Sequence, residues 1–232
     1  MSAAQAKRSA QAKSGAGSSD DAAGGGSKPF RIGVLVSGSG SNLQSIIDKL
    51  HKGPAGIEVA VVISDNDRAY GLKRAAEAGI TTAVFPMIDF AERREHDEAM
   101  AAELERYDVD LVVLAGYMML VTPGLLERFP NRVINLHPSL LPSFPGATPI
   151  EDTMDYGARV TGVTVHFVDE GADTGPIILQ EPVEIQYNDT VESLRGRIHD
   201  VEHALLPRAI ELIASGRVSF DKENPRRVVV SG

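Results

Sequence analysis

The order of apolar and amphipathic segments constrains the fold of this chain more than any other feature. Short continuous apolar runs alternate with segments of helical periodicity over the first two thirds of the sequence. Parallel strands covered by helices on both faces have this pattern, because neither face meets water. We therefore predict an α/β fold with a Rossmann-like, mostly parallel twisted sheet and helices on both faces. The predicted strands cover residues 32–36, 59–64, 82–85, 111–115 and 133–136.

The pattern changes after residue 160. Val163, Val165 and Phe167 alternate with polar residues, an apolar run follows at 177–183, and a long helical pattern covers 191–214. Alternation is typical of strands with one polar face, so we predict antiparallel strands added near the C-terminal end of the sheet. The predicted domain organisation is a low-complexity disordered tail (1–28), one folded domain (29–221) and a C-terminal tail (222–232).

The predicted N-terminal tail is rich in Ala, Ser, Gly and Gln and has no apolar periodicity. Such a segment cannot bury enough apolar surface to offset the entropy lost on ordering, which favours disorder. A transit peptide is the alternative, because Lys7, Arg8 and Lys13 precede the first acidic residue, Asp20. The absence of an amphipathic pattern argues against that alternative.

Composition excludes several classes of protein. The 232 residues, 43% of them hydrophobic, suffice for a sizeable core. No apolar run approaches the roughly 18 residues of a membrane span, and no secretory pattern is present, so we expect a cytoplasmic protein without membrane partners. The chain has no cysteine for disulfides, thiolate metal sites or thiol nucleophiles. Of 23 basic and 32 acidic residues, 4 and 2 lie in the tail, which leaves a net charge of −11 elsewhere and disfavours nucleic acid as a partner.

A glycine-rich loop, Ser-Gly-Ser-Gly-Ser-Asn at 37–42, follows the first predicted strand and precedes a helix. Free backbone N–H groups and the positive end of the helix dipole suit a phosphate or a carboxylate there. The loop lacks the third glycine of a dinucleotide fingerprint and the lysine of a P-loop. A tight turn with Ser41 or Asn42 as the helix cap explains the same residues equally well.

The segment Val-Ile-Asn-Leu-His-Pro-Ser-Leu-Leu-Pro at 133–142 runs off the fifth predicted strand. Ligands of open α/β sheets bind at the carboxyl ends of strands, and Asn135 and His137 point to the same side of an extended backbone. An amide and an imidazole there can polarise a carbonyl and move protons, so we predict an acyl-transfer site. Asp173 is a candidate partner for His137. Each is more often an ordinary structural residue, and spacing alone does not place them together.

Five segments carry a resemblance to a known family. They resemble the phosphoribosylglycinamide formyltransferases, folate-dependent enzymes of purine synthesis, over residues 31–220. The segments are GVLVSGSGSNLQSII, LVVLAGYM, VINLHPSLLPSFPG, TGVTVHFVDEGADTGPIILQ and VEHALLP. The resemblance implies the formyltransferase fold, with glycinamide ribonucleotide and 10-formyltetrahydrofolate as small-molecule substrates. It implies no metal, and a monomer or a homodimer.

The resemblance also implies roles for individual residues. It assigns catalysis to Asn135, His137 and Asp173. It assigns the substrate phosphate to Gly40, Ser41 and Asn42, and the glycinamide end to Glu202. It assigns contacts with the folate to Arg93, Met118, Met119, Leu120, Val121, Asn135 and Asp169, the last of these in a loop that borders the pterin.

A mechanism follows from this resemblance as a hypothesis. The substrate amine attacks the formyl carbon, and a tetrahedral intermediate with a negatively charged oxygen forms. Asn135 and a protonated His137 would stabilise that charge. Because an isolated imidazole is mostly neutral at pH 7, Asp173 would have to raise the pKa of His137. Asp173 is also a candidate to relay the proton of the amine to N10 through water.

Two positions depart from the family pattern. Met119 stands where the family commonly has a basic residue, which removes one polar contact to the folate. Thr148 stands where the family usually has a histidine. A threonine hydroxyl neither gains nor loses a proton near pH 7, so it cannot replace histidine as an acid or base. The changed segment 146–150 resembles that of methionyl-tRNA and sugar formyltransferases, so the choice of acceptor is the open question.

Three competing functions remain open on sequence grounds. They are a tRNA formyltransferase, a formyltetrahydrofolate hydrolase and an inactive phosphate- or folate-binding module. Retention of Asn135, His137 and Asp173 argues against the inactive module. Among the other histidines, His166 fits a hydrogen-bonded structural role at least as well as a role in the site. His199 and His203 are four residues apart on a predicted helix, and without further ligands nearby this spacing indicates a helix surface rather than a zinc site.

Overall fold

A computed structural model describes residues 28–231, so the predicted N-terminal tail lies outside the described residues except for Lys28. A short 3₁₀ helix covers Met87–Asp89. The strands are Phe30–Val36 (β1), Ile57–Ser64 (β2), Thr81–Val84 (β3), Leu111–Leu114 (β4), Val133–His137 (β5), Val160–Phe167 (β6), Ile177–Glu184 (β7), Val218–Phe220 (β8) and Val228–Val230 (β9). The α-helices are Ser41–Leu50 (α1), Tyr70–Glu77 (α2), Arg93–Arg106 (α3), Pro123–Leu126 (α4), Pro149–Tyr156 (α5) and Val191–Ala214 (α6).

Seven strands form one mixed sheet in the order β3-β2-β1-β4-β5-β6-β7. Strands β1 to β5 pair in parallel, whereas β6 is antiparallel to β5 and β7 is antiparallel to β6. The predicted fold class is therefore confirmed, including the antiparallel addition. Strands β8 and β9 form a separate antiparallel pair, and β9 lies in the segment predicted as a C-terminal tail.

The core lies on both faces of the sheet, which explains the continuous apolar strands. In β1, Val34 belongs to an apolar cluster that includes Leu43 of α1 and Leu206 of α6. The next residue, Leu35, belongs to a second cluster that includes Met100 of α3. All of these side chains are fully buried. Neighbouring residues of one strand thus serve opposite layers, as expected for a sheet covered by helices.

The longest helix, α6, closes the antiparallel end of the sheet and carries part of the candidate site. Thr190 caps it: the Thr190 side chain accepts from the Ser193 N–H at 3.2 Å, and the Ser193 hydroxyl accepts from the Thr190 N–H at 3.0 Å. These bonds satisfy two backbone donors at the helix start.

No helix within residues 28–231 combines the length and the apolarity needed to cross a bilayer.

Two glycine-to-alanine substitutions should have opposite effects on stability. A Cβ at Gly162 of β6 would lie 2.3 Å from the carbonyl oxygen of Glu181, so Gly162→Ala forces the backbone apart. We expect a loss of about 1–3 kcal/mol in the free energy of unfolding. Gly196 in α6 has open space around its Cα, so Gly196→Ala should stabilise by about 0.5–1 kcal/mol. Urea unfolding measures both, and a destabilised Gly196→Ala protein or an unaffected Gly162→Ala protein contradicts this packing.

Candidate active site

The candidate active site is a cleft at the carboxyl ends of the parallel strands. Strand β1 lies between β2 and β4, so the loops after β1 and β4 diverge and a crevice opens between them. The cleft has a volume of about 600 Å³. Its lining includes most of the predicted site residues, namely Gly40, Ser41, Asn42, Met118, Met119, Leu120, Val121, Asn135, His137, Asp173 and Glu202.

Three polar side chains lie together in this cleft. Asp173 Oδ2 is 3.5 Å from Nδ1 of His137, and Asp173 Oδ1 accepts a hydrogen bond of 3.4 Å from Nδ2 of Asn135. The other ring nitrogen of His137, Nε2, donates to the carbonyl oxygen of Phe144 at 2.9 Å. His137 is only 4% exposed. The imidazole, the amide and the carboxylate therefore interact where water screens their charges little.

Asp173 is held in place by an unusual backbone conformation. Its φ angle is +54°, in the left-handed region that non-glycine residues rarely adopt. The N–H of Gly146 donates to Asp173 Oδ2 at 3.0 Å. Asp169 does not line the cleft but organises the turn, because its Oδ1 accepts from the Gly171 N–H at 3.1 Å and from the Thr174 hydroxyl at 2.6 Å. The turn thus fixes the position of the Asp173 carboxylate.

His166 also belongs to this cluster, although the sequence left open whether it faces the site or is structural. It lies opposite Asn135 in the antiparallel pairing of β5 and β6. Its Nδ1 donates to the carbonyl oxygen of Phe167 at 2.8 Å, and its Nε2 is 3.3 Å from Nδ2 of Asn135. Burial lowers the pKa of His166 and favours the neutral ring. The neutral Nε2 then accepts from the amide of Asn135 and sets its orientation.

Buried side-chain hydrogen bonds hold the loop after β5. Thr164 lies opposite His137 in the sheet. Its hydroxyl donates to the Ser139 carbonyl at 2.7 Å and accepts from the Leu141 N–H at 3.1 Å. Gln180 Nε2 donates to the same hydroxyl and to the Leu141 carbonyl, both at 2.9 Å. The loop that supplies Phe144 to His137 is therefore anchored to the antiparallel strands.

The glycine-rich loop after β1 ends in a left-handed glycine at the start of α1. Gly40, with φ +68°, is the N-cap of α1, and no side chain caps the helix. The predicted alternative, a cap at Ser41 or Asn42, does not occur, because both residues lie inside α1. A Cβ at Gly40 would be 2.6 Å from the Cα of Gly71, and Arg74 donates to the Ser39 carbonyl at 2.9 Å. Helix α2 thus clamps the loop, whose first-turn N–H groups have no side-chain cap.

Glu202 is a buried carboxylate in the wall of the cleft. It is 5% exposed, and its Oε2 accepts a hydrogen bond of 3.0 Å from Nδ2 of Asn42. His199 Nε2 lies 3.9 Å from the same oxygen. Burial raises the pKa of Glu202, and the hydrogen bond from Asn42 partly opposes this. A buried acid of this kind is suited to accept hydrogen bonds from an amine or amide of a ligand.

Residues 118–121 form one lip of the cleft. Met118 and Leu120 are 72% and 70% exposed, whereas Val121 is buried. The N–H of Met118 donates to the Ser37 hydroxyl at 3.0 Å. Arg93 does not line the cleft, but its guanidinium donates to the carbonyl of Leu120 from behind. This lip therefore offers an apolar surface and free backbone groups to a flat ligand.

The structure shows the surroundings of Met119 and Thr148, the two positions expected to depart from the family pattern. Met119 packs against the apolar cluster between the sheet and α3, so it offers a ligand no polar side-chain group. Thr148 precedes α5, and its hydroxyl donates to the Asp152 carboxylate at 3.2 Å.

The rings of His199 and His203 lie 6.1 Å apart on α6. Within residues 28–231, no three His, Asp or Glu side chains are grouped so that they could hold a metal ion.

Comparison with known proteins points to one family. Residues 30–210 match the formyl transferase family. Phosphoribosylglycinamide formyltransferase of Haemophilus influenzae is 42% identical over 194 residues, which cover 84% of this chain and 91% of the relative. The Bacillus subtilis protein of the same name is 37% identical, with 78% and 93% coverage. The crystal structure of glycinamide ribonucleotide transformylase 1 from Symbiobacterium toebii superposes with a TM-score of 0.85 at 48% identity, covering 88% of this chain and 95% of that chain.

Longer relatives match as well. The trifunctional purine biosynthetic protein adenosine-3 of Chironomus tentans is 46% identical over 193 residues, which cover 82% of this chain. The chain spans only 14% of that relative and 19–20% of the vertebrate proteins of that name. The similarity therefore concerns one part of these longer proteins.

The buried carboxylate of Glu202 should cost stability in a pH-dependent way. Because burial raises its pKa in the folded protein, the group is neutral in both states at low pH, and ionisation favours unfolding as pH rises through the raised value. Glu202→Gln keeps an oxygen for Asn42 and removes this cost. We expect the variant to be more stable than the wild type, by more at pH 8 than at pH 5, in urea unfolding.

The matched control for this experiment is Glu170→Gln, which changes an exposed glutamate. It should shift the unfolding free energy little at either pH. A Glu202→Gln protein whose gain in stability is the same at both pH values contradicts the predicted effect of burial.

Proposed function

This chain is a formyltransferase of the phosphoribosylglycinamide formyltransferase family, and from that membership we propose its substrates and the roles of its residues. The proposed reaction moves a formyl group from 10-formyltetrahydrofolate to the amine of glycinamide ribonucleotide, in purine biosynthesis. The observation that carries the proposal is the convergence of Asn135, His137 and Asp173 on one buried spot of the cleft. Their chemistry suits acyl transfer.

The phosphate of the nucleotide binds the loop of Gly40, Ser41 and Asn42. The left-handed backbone at Gly40 and the N–H groups of the first turn of α1 support this placement. These donors and the positive end of the helix dipole favour a phosphate dianion without a lysine or a metal. The loop lines the same cleft as the catalytic cluster, as a nucleotide that spans both requires.

The glycinamide end of the substrate lies against Glu202. The carboxylate is on the same wall as the phosphate loop and is joined to it by the hydrogen bond from Asn42. A ligand held by its phosphate at Gly40 therefore extends past Glu202 toward Asn135 and His137. In this arrangement Glu202 accepts hydrogen bonds from the glycinamide and orients the amine for attack.

The catalytic cluster stabilises the charge that develops in the reaction. The amine forms a bond to the formyl carbon, the bond from that carbon to N10 breaks, and a proton passes from the amine to N10. His137 keeps Nε2–H bonded to Phe144, so Nδ1, 3.5 Å from Asp173, is the ring position that carries the active proton. Nδ1–H donates to the formyl oxygen as it becomes negative. The Asn135 amide does so as well, with the N–H that is directed at Asp173 over 3.4 Å when no substrate is bound, while the other N–H stays with His166.

Asp173 has two roles in this proposal. Its carboxylate, 3.5 Å from Nδ1, stabilises a positive charge on the His137 ring. It also relays the proton of the attacking amine to N10, through water. The left-handed turn at Asp173 and the hydrogen bond from the Gly146 N–H hold the carboxylate where it can contact both the His137 ring and the water that carries the proton.

The folate binds along the lip formed by residues 118–121. The exposed Met118 and Leu120 supply apolar surface for its rings, and the loop that contains Asp169 borders the pterin. Arg93 lies behind the lip, where it supports the Leu120 carbonyl and supplies positive charge for the folate carboxylates. Met119 contributes apolar packing in place of a charge.

An assay with alternative acceptors tests the proposed reaction. The purified protein is incubated with 10-formyltetrahydrofolate and, separately, with glycinamide ribonucleotide, with a sugar amine, or with buffer alone. We expect tetrahydrofolate to form at enzymatic rates only with glycinamide ribonucleotide. Formation with the sugar amine or in buffer alone, but not with glycinamide ribonucleotide, would contradict the proposed acceptor.

Variants of the catalytic cluster test the roles of its members. Removal of one donor to a developing oxyanion typically lowers turnover by about 10²–10³-fold. We expect at least this loss for His137→Ala and for Asn135→Ala under saturating substrates. His203→Gln, a change on α6 outside the cleft lining, is the control and should keep wild-type turnover. Near-normal turnover of either cluster variant refutes its role.

A further inference from the structure

Helix α3 carries a buried polar network outside the catalytic cluster. His96 and Asp97 are both 0% exposed, although they lie in the charged run Arg-Arg-Glu-His-Asp-Glu. Nδ1 of His96 is 2.9 Å from Asp97 Oδ1, and its Nε2 is 2.9 Å from the carbonyl oxygen of Phe85. Removing a histidine and a carboxylate from water costs free energy of folding, so the burial of this pair requires an explanation.

Both ring nitrogens of His96 face acceptors. A backbone carbonyl and an ionised carboxylate can only accept hydrogen bonds, so the ring has to donate from both nitrogens. The carboxylate has further positive neighbours: Arg93 Nε lies 3.5 Å from Asp97 Oδ1, and the Thr122 N–H donates to Oδ2 at 2.6 Å. These contacts hold the Asp97 carboxylate in one orientation.

The other end of the network holds the lip of the cleft. Residues 115–122 contain no helix and no strand beyond the end of β4, so their backbone depends on bonds from outside. The end of β1 holds the first two residues, through the bonds of Ala115 to Leu35 and of Gly116 to Ser37, and the start of α4 donates to the Thr122 carbonyl. Side chains outside the segment form three more bonds to its backbone: Asp97 accepts from the Thr122 N–H, Arg93 donates to the Leu120 carbonyl, and the Ser37 hydroxyl accepts from the Met118 N–H. Two of these three come from α3.

We propose that His96 and Asp97 are positioning residues for the formyl donor, because they fix the backbone of residues 118–122 against which the folate binds. This inference rests on the function proposed above. His96 acts through Asp97 and touches no ligand. The Nδ1–H bond to Asp97 is the bond that matters, whereas the Nε2–H bond to Phe85 serves the packing of α3.

A buried ion pair by itself is a weak source of stability, since apolar residues of similar size often stabilise a protein as well or better. A positioning role explains why charged groups are placed here. The bond to the Thr122 N–H requires an acceptor in a fixed place, and an apolar side chain cannot provide one. The network thus has a use that packing alone does not supply.

Two substitutions of His96 separate the two bonds. The Nδ2 of asparagine is attached to Cγ, as Nδ1 of histidine is, so His96→Asn keeps a donor toward Asp97. The Nε2 of glutamine is one atom farther out, so His96→Gln keeps the donor toward Phe85 and loses the one toward Asp97. Each variant loses one bond to a buried acceptor. A purely structural role therefore predicts similar effects for both.

The measurement is the steady-state KM for 10-formyltetrahydrofolate, with kcat and the KM for glycinamide ribonucleotide as references. We expect His96→Gln to raise the KM for the folate about tenfold, as the loss of one hydrogen bond to a charged group would. His96→Asn should stay within about twofold of the wild type by the same reasoning, and kcat should change little in both.

The outcomes are distinct. A folate KM that is equal in the two variants overturns the inference, whether both rise or neither does. A wild-type protein that does not transfer formyl from 10-formyltetrahydrofolate overturns the proposed function instead. If a His96 variant does not fold, the pair Asp97→Asn and Asp97→Ala replaces it. Only the alanine loses the acceptor for Thr122, so equal folate KM values in that pair also overturn the inference.

Discussion

The Asp173 carboxylate is the group around which the cleft is organised. It lies within 3.7 Å of His137, Asn135 and His166, and it also receives the N–H of Gly146. These groups come from β5, from the loop behind it and from β6. They meet because the two strands pair antiparallel in a register that sets Asn135 opposite His166. The antiparallel pairing of β5 and β6 thus brings His166, and the turn after β6 that carries Asp173, next to Asn135 and His137.

The layered fold could be predicted because its cause is local in the sequence. Continuous and alternating apolar patterns report directly whether one or both faces of a strand are buried. The strand starts were less accurate: β1 and β2 begin at Phe30 and Ile57, two residues before the predicted starts. The reason is that Arg31 and Glu58 lie opposite each other and form an ion pair at 2.7 Å. In the sequence, each of these charged residues interrupts an apolar run and so indicates a strand end. In the structure, the two charges pair across β1 and β2, and both strands extend past them.

The site was predictable in part for the same reason. The spacing of Asn135 and His137 places both on one side of a strand, whereas nothing local indicates that Glu202, His96 or Asp97 is buried. His96 and Asp97 are adjacent, but the other partners are distant in sequence: Asn42 lies 160 residues from Glu202, and Thr122 lies 25 residues from Asp97. Charged residues in helices are usually solvated, so pattern alone assigns them to the surface. Burial of these groups follows from tertiary contacts, which a single sequence does not display.

The contact between Gly40 and Gly71 links the shape of the glycine-rich loop after β1 to a helix, α2, that forms no part of the cleft lining. The two backbones approach too closely for any side chain between them, and the Gly71 N–H also bonds to the Gly38 carbonyl at 3.1 Å. The conformation of the loop therefore depends partly on the connection between β2 and α2. A change in the length of that connection would alter the conformation of the loop while every residue that lines the cleft stayed the same.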